Sequence, residues 1–450
     1  MAQLQRSVCV VSLLTAVSGA IAVAPEYSNT LGDPGFSGSY VASFAAHDDG
    51  TGESLYGIGS FSAVGVANTS SIARWDGLGW AAVGTGLQGG FSNVMASYNG
   101  DLIAAGYFDT AGSVPGSAKL ARWDGSAWNS MDAQSESFLN SIWDLQVWDD
   151  GSTGSQLYIA GNYLDINGQP ALDHIAKWDG TAYSPVGGTI GGAVPLIVLD
   201  LHVADLGAGE RLFAGGRFLT IGGNAAANIA SWDGAAWSPL GGGLTRTSGF
   251  AQVLHMTSWN DGSGTAIYAG GSFNRAGGTV PVLNVAKWDG SSWTALGDGL
   301  DSLVQELVVW DDGSGEALYA IGNFNNSGTT PASRIAKWNG TAWEAVGAGL
   351  DANGFGAIVY DLGSGPELHI AGGFSNAGGL SSNRAISLIA EQGCAADFAE
   401  PFGTLNFFDI SAFITAYNAN DLAADFAAPF GVLNFFDIST YINEYNAGCP

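Results

Sequence analysis

The chain has 450 residues, 68 of them Gly and 15 Trp, and only 12% are charged, against roughly 25% in an average soluble domain. Its 41 acids outnumber 13 Lys and Arg, and a formal charge of −28 repels phosphate backbones and anionic lipid, which excludes nucleic acid as a partner. With 46% hydrophobic residues the chain can bury a large core, so disorder is excluded and the glycines read as the punctuation of many turns.

The N-terminus carries Arg6, an apolar run from Val8 to Ala16, and Ala22-Val23-Ala24 before Pro25-Glu26. Positive charge, apolar core and small residues in that order are a secretory signal, so residues 1–24 are expected to be cleaved. A membrane anchor is the weaker reading, because Gly19 and its small neighbours thin the run. No later stretch approaches the roughly 20 apolar residues of a span. The mature chain is expected to be secreted or held at the cell surface, without a membrane span. Cleavage leaves Cys394 and Cys449, which are expected to pair where disulfides persist.

One string then recurs. Its first anchor is an aromatic at Phe61, Phe108, Tyr163, Phe218, Phe273, Phe324 and Phe374, spaced by 47, 55, 55, 55, 51 and 50 residues. A second is Trp75, Trp123, Trp178, Trp232, Trp288 and Trp338, each followed by Asp-Gly or Asn-Gly and then by Trp80, Trp128, Tyr183, Trp237, Trp293 or Trp343. Asp-Gly and Asn-Gly between apolar runs signal hairpins. Each copy reads as four short strands, for example Leu307–Trp310, Leu318–Gly322, Ile335–Trp338 and one starting at Trp343. Four strands per roughly 50 residues predict an all-β fold, a seven-bladed β-propeller. The seventh copy stops after its third strand, near Ala385 to Ile389. Tyr27 to Asp33 looks like the fourth strand Trp293 to Asp298, so the N-terminal strand is predicted to close the ring by pairing with the last blade. The Gly pair, the Trp-Asp-Gly turn and the following Trp resemble the kelch repeat over residues 25–390, with Trp and a tight turn where kelch has Tyr and a longer one.

Counting seven residues back from the Gly after each first strand gives Ser43, Asn93, Asp144, Asp200, His255, Glu306 and Gly356. In kelch propellers the first strand is innermost, which would put this polar column at the channel. Asn93, Asp144, Asp200, His255 and Glu306 are therefore ring candidates for a cation or a sugar, although a solvated channel wall is the reading the sequence favours. The aspartates of Asp48-Asp49-Gly50, Asp149-Asp150-Gly151 and Asp311-Asp312-Gly313 read as turn formers rather than calcium ligands. His47, His174, His202, His255 and His369 occupy different repeat positions, and no nucleophile elbow, His-Glu-x-x-His, phosphate loop or Cys-x-x-Cys is present.

From residue 391 to 450 the composition changes: Glu391, Asp397, Glu400, Asp409, Asp421, Asp425, Asp437 and Glu444 stand without any Lys or Arg. A 28-residue duplication aligns Asp397 to Ser411 with Asp425 to Ser439. Each unit reads as a loop and a short helix, with Ile410, Phe413, Ile414 and Tyr417, or Ile438, Tyr441, Ile442 and Tyr445, at helical spacing. Framed by Gly393-Cys394 and Gly448-Cys449, the segment resembles GC-type dockerin-like domains of exported bacterial proteins. That resemblance implies an EF-hand-like Ca²⁺ loop and attachment to a cohesin-like or cell-surface partner. It assigns Asp397, Asn406, Asp409, Asp425, Asn434 and Asp437 as metal ligands. Each loop is one residue too long, with Phe402 and Phe430 where an oxygen is expected, so calcium binding and a metal-free apolar loop both stand open.

Together these features predict an exported, non-catalytic binding protein: a propeller presenting a surface for a glycan or protein ligand, and a dockerin-like anchor. The competing class is a polysaccharide-degrading enzyme carried by the same anchor.

Overall fold

The computed structural model describes residues 25–390 apart from short gaps at 33–34, 66, 132–140, 153, 165–168, 193–194 and 364, together with 407–418, 424, 433–434, 438–442 and 445 in the tail. The expected signal and both Cys394 and Cys449 lie outside the described residues. Among the described residues the class is all-β, with a helix of three turns and a second short helical stretch at 438–442 in the tail.

Among the described residues, seven sheets follow the same antiparallel four-strand path. Their first strands are Phe36–Asp48, Phe91–Tyr98, Ile142–Trp148, Ile197–Asp205, Gln252–Asn260, Val304–Asp311 and Gly354–Asp361. Third and fourth strands meet where the sequence places the aromatic pairs: Trp75 faces Trp80, Trp123 faces Trp128, and Trp338 faces Trp343. The connecting turns have four residues rather than two. Asp76 Oδ1 accepts the N–H groups of Leu78 and Gly79, both at 2.9 Å, and Gly77 takes φ 93°, so the aspartate closes the turn with its side chain.

The cores lie between sheets. Each buried cluster joins neighbours, as where Tyr158 and Trp148 of the third sheet meet Leu212, Trp232 and Trp237 of the fourth. One hydrogen bond repeats at every such seam. The fourth-strand aromatic donates to a carbonyl of the preceding sheet: Trp128 to Val83, Tyr183 to Met131, Trp237 to Val186, Trp293 to Leu240 and Trp343 to Leu296, at 2.9 to 3.2 Å. First strands also lie side by side in sequence order, and Gly354–Asp361 neighbours Phe36–Asp48.

The N-terminal strand Glu26–Ser28 supplies the fourth strand of the seventh sheet, with Tyr27 opposite Leu388. Tyr27 Oη donates to Val346 O at 2.7 Å, and Trp80 Nε1 donates to Leu31 O at 2.9 Å. The same segment thus fills both the donor and the acceptor role of a fourth strand.

In the tail, helix Phe407–Asn418 carries Phe413, which stacks on Tyr441 with centroids 3.8 Å apart. Ile410, Tyr417, Ile438 and Tyr445 pack around them, as the duplication requires. Ile414 and Ile442 share the predicted spacing but are 50% and 49% exposed, because a helix this short buries one stripe and these positions flank it. No helix among the described residues is long and apolar enough to cross a membrane.

Candidate functional site

Every first strand carries an irregularity at the same place. Its register slips by one residue between Ile142 and Asp144, Val198 and Asp200, Val253 and His255, and Val304 and Glu306, and equivalently in the other three sheets. A bulge re-aims the side chain that follows it. Those side chains are the polar column. In the second sheet the slip lies between Ser92 and Val94, so Asn93 is the bulged residue and Val94 its column member. The tight Asn99-Gly100 turn starts one residue early, and counting back from its Gly overshoots by one.

A cavity of about 470 Å³ is lined by residues from all seven first strands, among them Ser43, Asn93, Asp144, Asp200, His255 and Glu306. The five ring candidates are thereby brought together. Three of them clamp neighbouring strands: Asp144 Oδ2 accepts Leu201 N–H at 2.6 Å, His255 Nδ1 accepts Leu307 N–H at 3.2 Å, and Asn93 Nδ2 donates to Ile142 O at 2.8 Å. His255 Nε2 lies 3.0 Å from Glu306 Oε1 and 3.8 Å from Asp200 Oδ1. Asp200 is 5% exposed, and its Oδ2 has no hydrogen-bond partner.

Charge is costly to hold here. Burial raises Asp144 to about 6, against the pull of the Leu201 and Leu145 N–H groups. Burial pushes Asp200 well above the ordinary carboxylate range, reinforced by Asp144 and Glu306 and opposed by His255 and by the Met256 N–H. Burial alone would lower His255, but Glu306 and Asp200 carry it up to about 10. The Leu307 N–H at Nδ1 opposes that pull, because a second ring proton would face this donor. His202, on the same strand as Asp200, is lowered to about 4 by burial and by His255.

Both ring nitrogens of His255 are committed, one to Leu307 and one to Glu306, which leaves no lone pair to activate a nucleophile. Among the described residues no group of three or more His, Cys, Asp or Glu is arranged to hold a metal ion. Asp397, Asn406, Asp425 and Asp437 lie outside the described residues. Asp409 is described only by its place on helix Phe407–Asn418, and Asn434 by its place between the two helical units, half-buried.

The aspartate pairs of the first turns do two jobs, of which sequence reasoning found one. Asp48 Oδ1 accepts Gly50 and Gly52 N–H at 2.8 and 2.9 Å, the turn role. The second aspartate reaches inward: Asp49 meets Tyr56 and Arg74, Asp150 meets Tyr158 and Lys177, Asp261 meets Tyr268 and Lys287, and Asp312 meets Tyr319 and Lys337. The signal was available, since a basic residue precedes Trp75, Trp178, Trp288 and Trp338.

No protein-family model and no curated protein matches the chain. Among solved structures it is similar to the extracellular domain of a protein described as a one-component system from B. thetaiotaomicron, with a TM-score of 0.49 and 8% identity over 81% of this chain and 39% of that one. It thus spans about two fifths of the length of that extracellular-domain chain. It is also similar to BBS1N in complex with ARL6DN, with a TM-score of 0.43 and 12% identity over 82% of this chain and 97% of that one.

Proposed function

We propose that this is an exported, non-catalytic binding protein whose residues 25–390 form a closed seven-bladed propeller with its ligand site in the central cavity. A signal at 1–24 directs export, and the 391–450 module attaches the propeller to a cell-surface or cohesin-like partner, with calcium in its loops. The observation that carries the reading is the cavity itself, to which all seven first strands contribute and in which a buried carboxylate oxygen is left without a donor. The cycle of seam hydrogen bonds supports closure: seven donors, Trp80, Trp128, Tyr183, Trp237, Trp293, Trp343 and Tyr27, each bond the preceding sheet.

The test is a glycan and cell-wall binding array on the mature chain and on a chain ending at residue 390, each with calcium and with chelator, alongside Ser43→Trp, which fills the cavity. Binding that survives truncation and is lost in the folded Ser43→Trp variant supports the cavity. Binding lost on truncation moves recognition to the tail and overturns this assignment.

A further inference from the structure

We infer that the central cavity takes a small organic cation, an ammonium group on an apolar body, with the ammonium seated against Asp200. The inference rests on the cavity being the ligand site. The walls divide by chemistry. The third to sixth sheets contribute Asp144, Asp200, His255 and Glu306, while Tyr40, Phe91, Trp143 and Phe355 supply aromatic surface. Tyr40 and Phe355 meet edge to face with centroids 5.4 Å apart, which joins the aromatic wall across the seam between the first and seventh sheets. That seam is narrow for a reason: a Cβ on Gly356 would fall 2.5 Å from Ala42 O.

Unpaired groups and charge together decide the ligand class. Asp144 Oδ2 takes Leu201 N–H, Glu306 Oε1 takes His255, and the Asn93 amide is spent on Ile142 O. His255 stands 3.8 Å from Asp200 Oδ1, beyond hydrogen-bond reach. Asp200 therefore keeps an unpaired buried oxygen, Oδ2, and leaving such an oxygen bare is costly; the Trp143 indole N–H on the same lining is an unpaired donor, so it is the carboxylate's charge that separates one ligand class from another. A sugar would bring as many acceptors as donors and would leave the charge uncompensated. An ammonium brings three donors and the opposite charge, and its apolar body matches the aromatic wall, where cation–π attraction adds to burial. The net charge of −28 raises the local concentration of such a ligand.

The expected pH response follows from the groups facing Asp200, namely Asp144, Glu306, His255 and His202. The Leu307 N–H occupies the Nδ1 lone pair of His255 and burial holds His202 neutral near pH 7, so the carboxylates set the response. Asp144 binds a proton below about 6, and burial raises Asp200 well above the ordinary carboxylate range. An ammonium must displace these protons, so affinity falls as pH drops toward and below 6, by up to about tenfold per unit for each proton released.

Calorimetric titration of the mature chain with phenethylamine and hexylamine, each against its neutral alcohol, tests this at low salt. The amines are expected to bind at least tenfold tighter than the alcohols, and Asp200→Asn, which keeps an amide oxygen at the site, is expected to remove at least tenfold of amine affinity. Equal binding of amine and alcohol, or an unchanged folded Asp200→Asn variant, would overturn the cation while leaving the cavity as the ligand site. If neither amine nor alcohol binds while the array of the preceding section still records cavity-dependent binding, the ligand class is wrong. If that binding is absent too, the cavity reading falls with it.

Discussion

One position before every third strand, the backbone turns left-handed: Ser71, Lys119, His174, Asn228, Asn284, Arg334 and Arg384 have φ between 65° and 78°, except Asn284 at 61°. Asn is the residue suited to it. The Asn284 side chain accepts Phe273 N–H at 3.3 Å and donates to Leu300 O at 2.7 Å, closing a loop that would otherwise bury both groups unpaired. Asn284→Ala is expected to cost about 2–4 kcal/mol in urea unfolding, from two orphaned groups and an alanine at positive φ. Asn284→Gly should recover about 1 kcal/mol of that, and equal losses would remove the backbone part of the argument. This position was not legible in the sequence, because seven residues of four chemistries satisfy one conformation.

The Asp150 network gives a second residue-scale expectation. Burial opposes its charge, but the bonds from Lys177, Ser152 and Tyr158 hold its carboxyl at about 2. Its folded value lies below the unfolded one, so its contribution is complete at neutral pH and is lost as pH falls from about 4 through 2. Lys177→Met is expected to lose about 2 kcal/mol at pH 7, since Lys177 is partly exposed and the pair is not fully buried. The difference from the parent should shrink on acidification as Asp150 takes a proton in both proteins. Denaturant unfolding between pH 7 and 2 checks this, and a gap that is constant with pH would reject it.

Among the elements, the N-terminal strand holds the largest consequence for its size. Glu26–Ser28 was legible because Tyr27 and Leu31 repeat the aromatic and leucine of Trp293 and Leu296, and the seventh copy lacks exactly such a strand. Tyr27→Phe removes only the bond to Val346 O and is expected to cost about 1 kcal/mol. Deleting residues 25–32 also removes fully buried Leu31, the Trp80 acceptor and the pairing with Ala385–Ile389, at a cost of at least about 5 kcal/mol. Thermal unfolding of the two variants should separate them widely, and similar melting would deny the strand its latching role. Other elements were hidden. Short ribbons such as Thr220–Ile221 with Asn224–Ala225, which pair back to Ile190–Gly191, have two-residue strands too short to show a period. The bulges were hidden as well, since slipping a register changes which residue faces the cavity without changing composition, and this is how Asn93 came to stand in for Val94.

At the scale of the whole molecule, the proposed closure makes every seam equivalent, and that has a consequence for where the chain can be cut. Ile389 lies opposite Glu26 in the seventh sheet, so a four-residue turn like those elsewhere in the repeat would join them covalently and make that sheet continuous. The segment Arg246–Phe250 is exposed throughout and connects the fourth sheet to the fifth, where new ends disturb no strand pairing. A permutant beginning at Gly249, running through residue 390 into 25 and ending at Ser248, keeps every four-stranded sheet on a single segment of chain, while the ribbon of Leu244–Thr245 with Arg275–Ala276 then joins the two new ends. Closed, the two halves remain bound through the seam that Trp293 makes with Leu240 and through the packing of the seventh sheet on the first. The permutant is then expected to unfold in one transition, to keep the near-ultraviolet signature of its paired tryptophans, and to bind ligand like the parent, because the cavity needs all seven first strands. An open row would respond differently: moving the break would change which sheets sit at its ends, take the first strands out of their cyclic order and abolish binding. Two separate unfolding transitions, or a folded permutant without a binding site, would reject the ring.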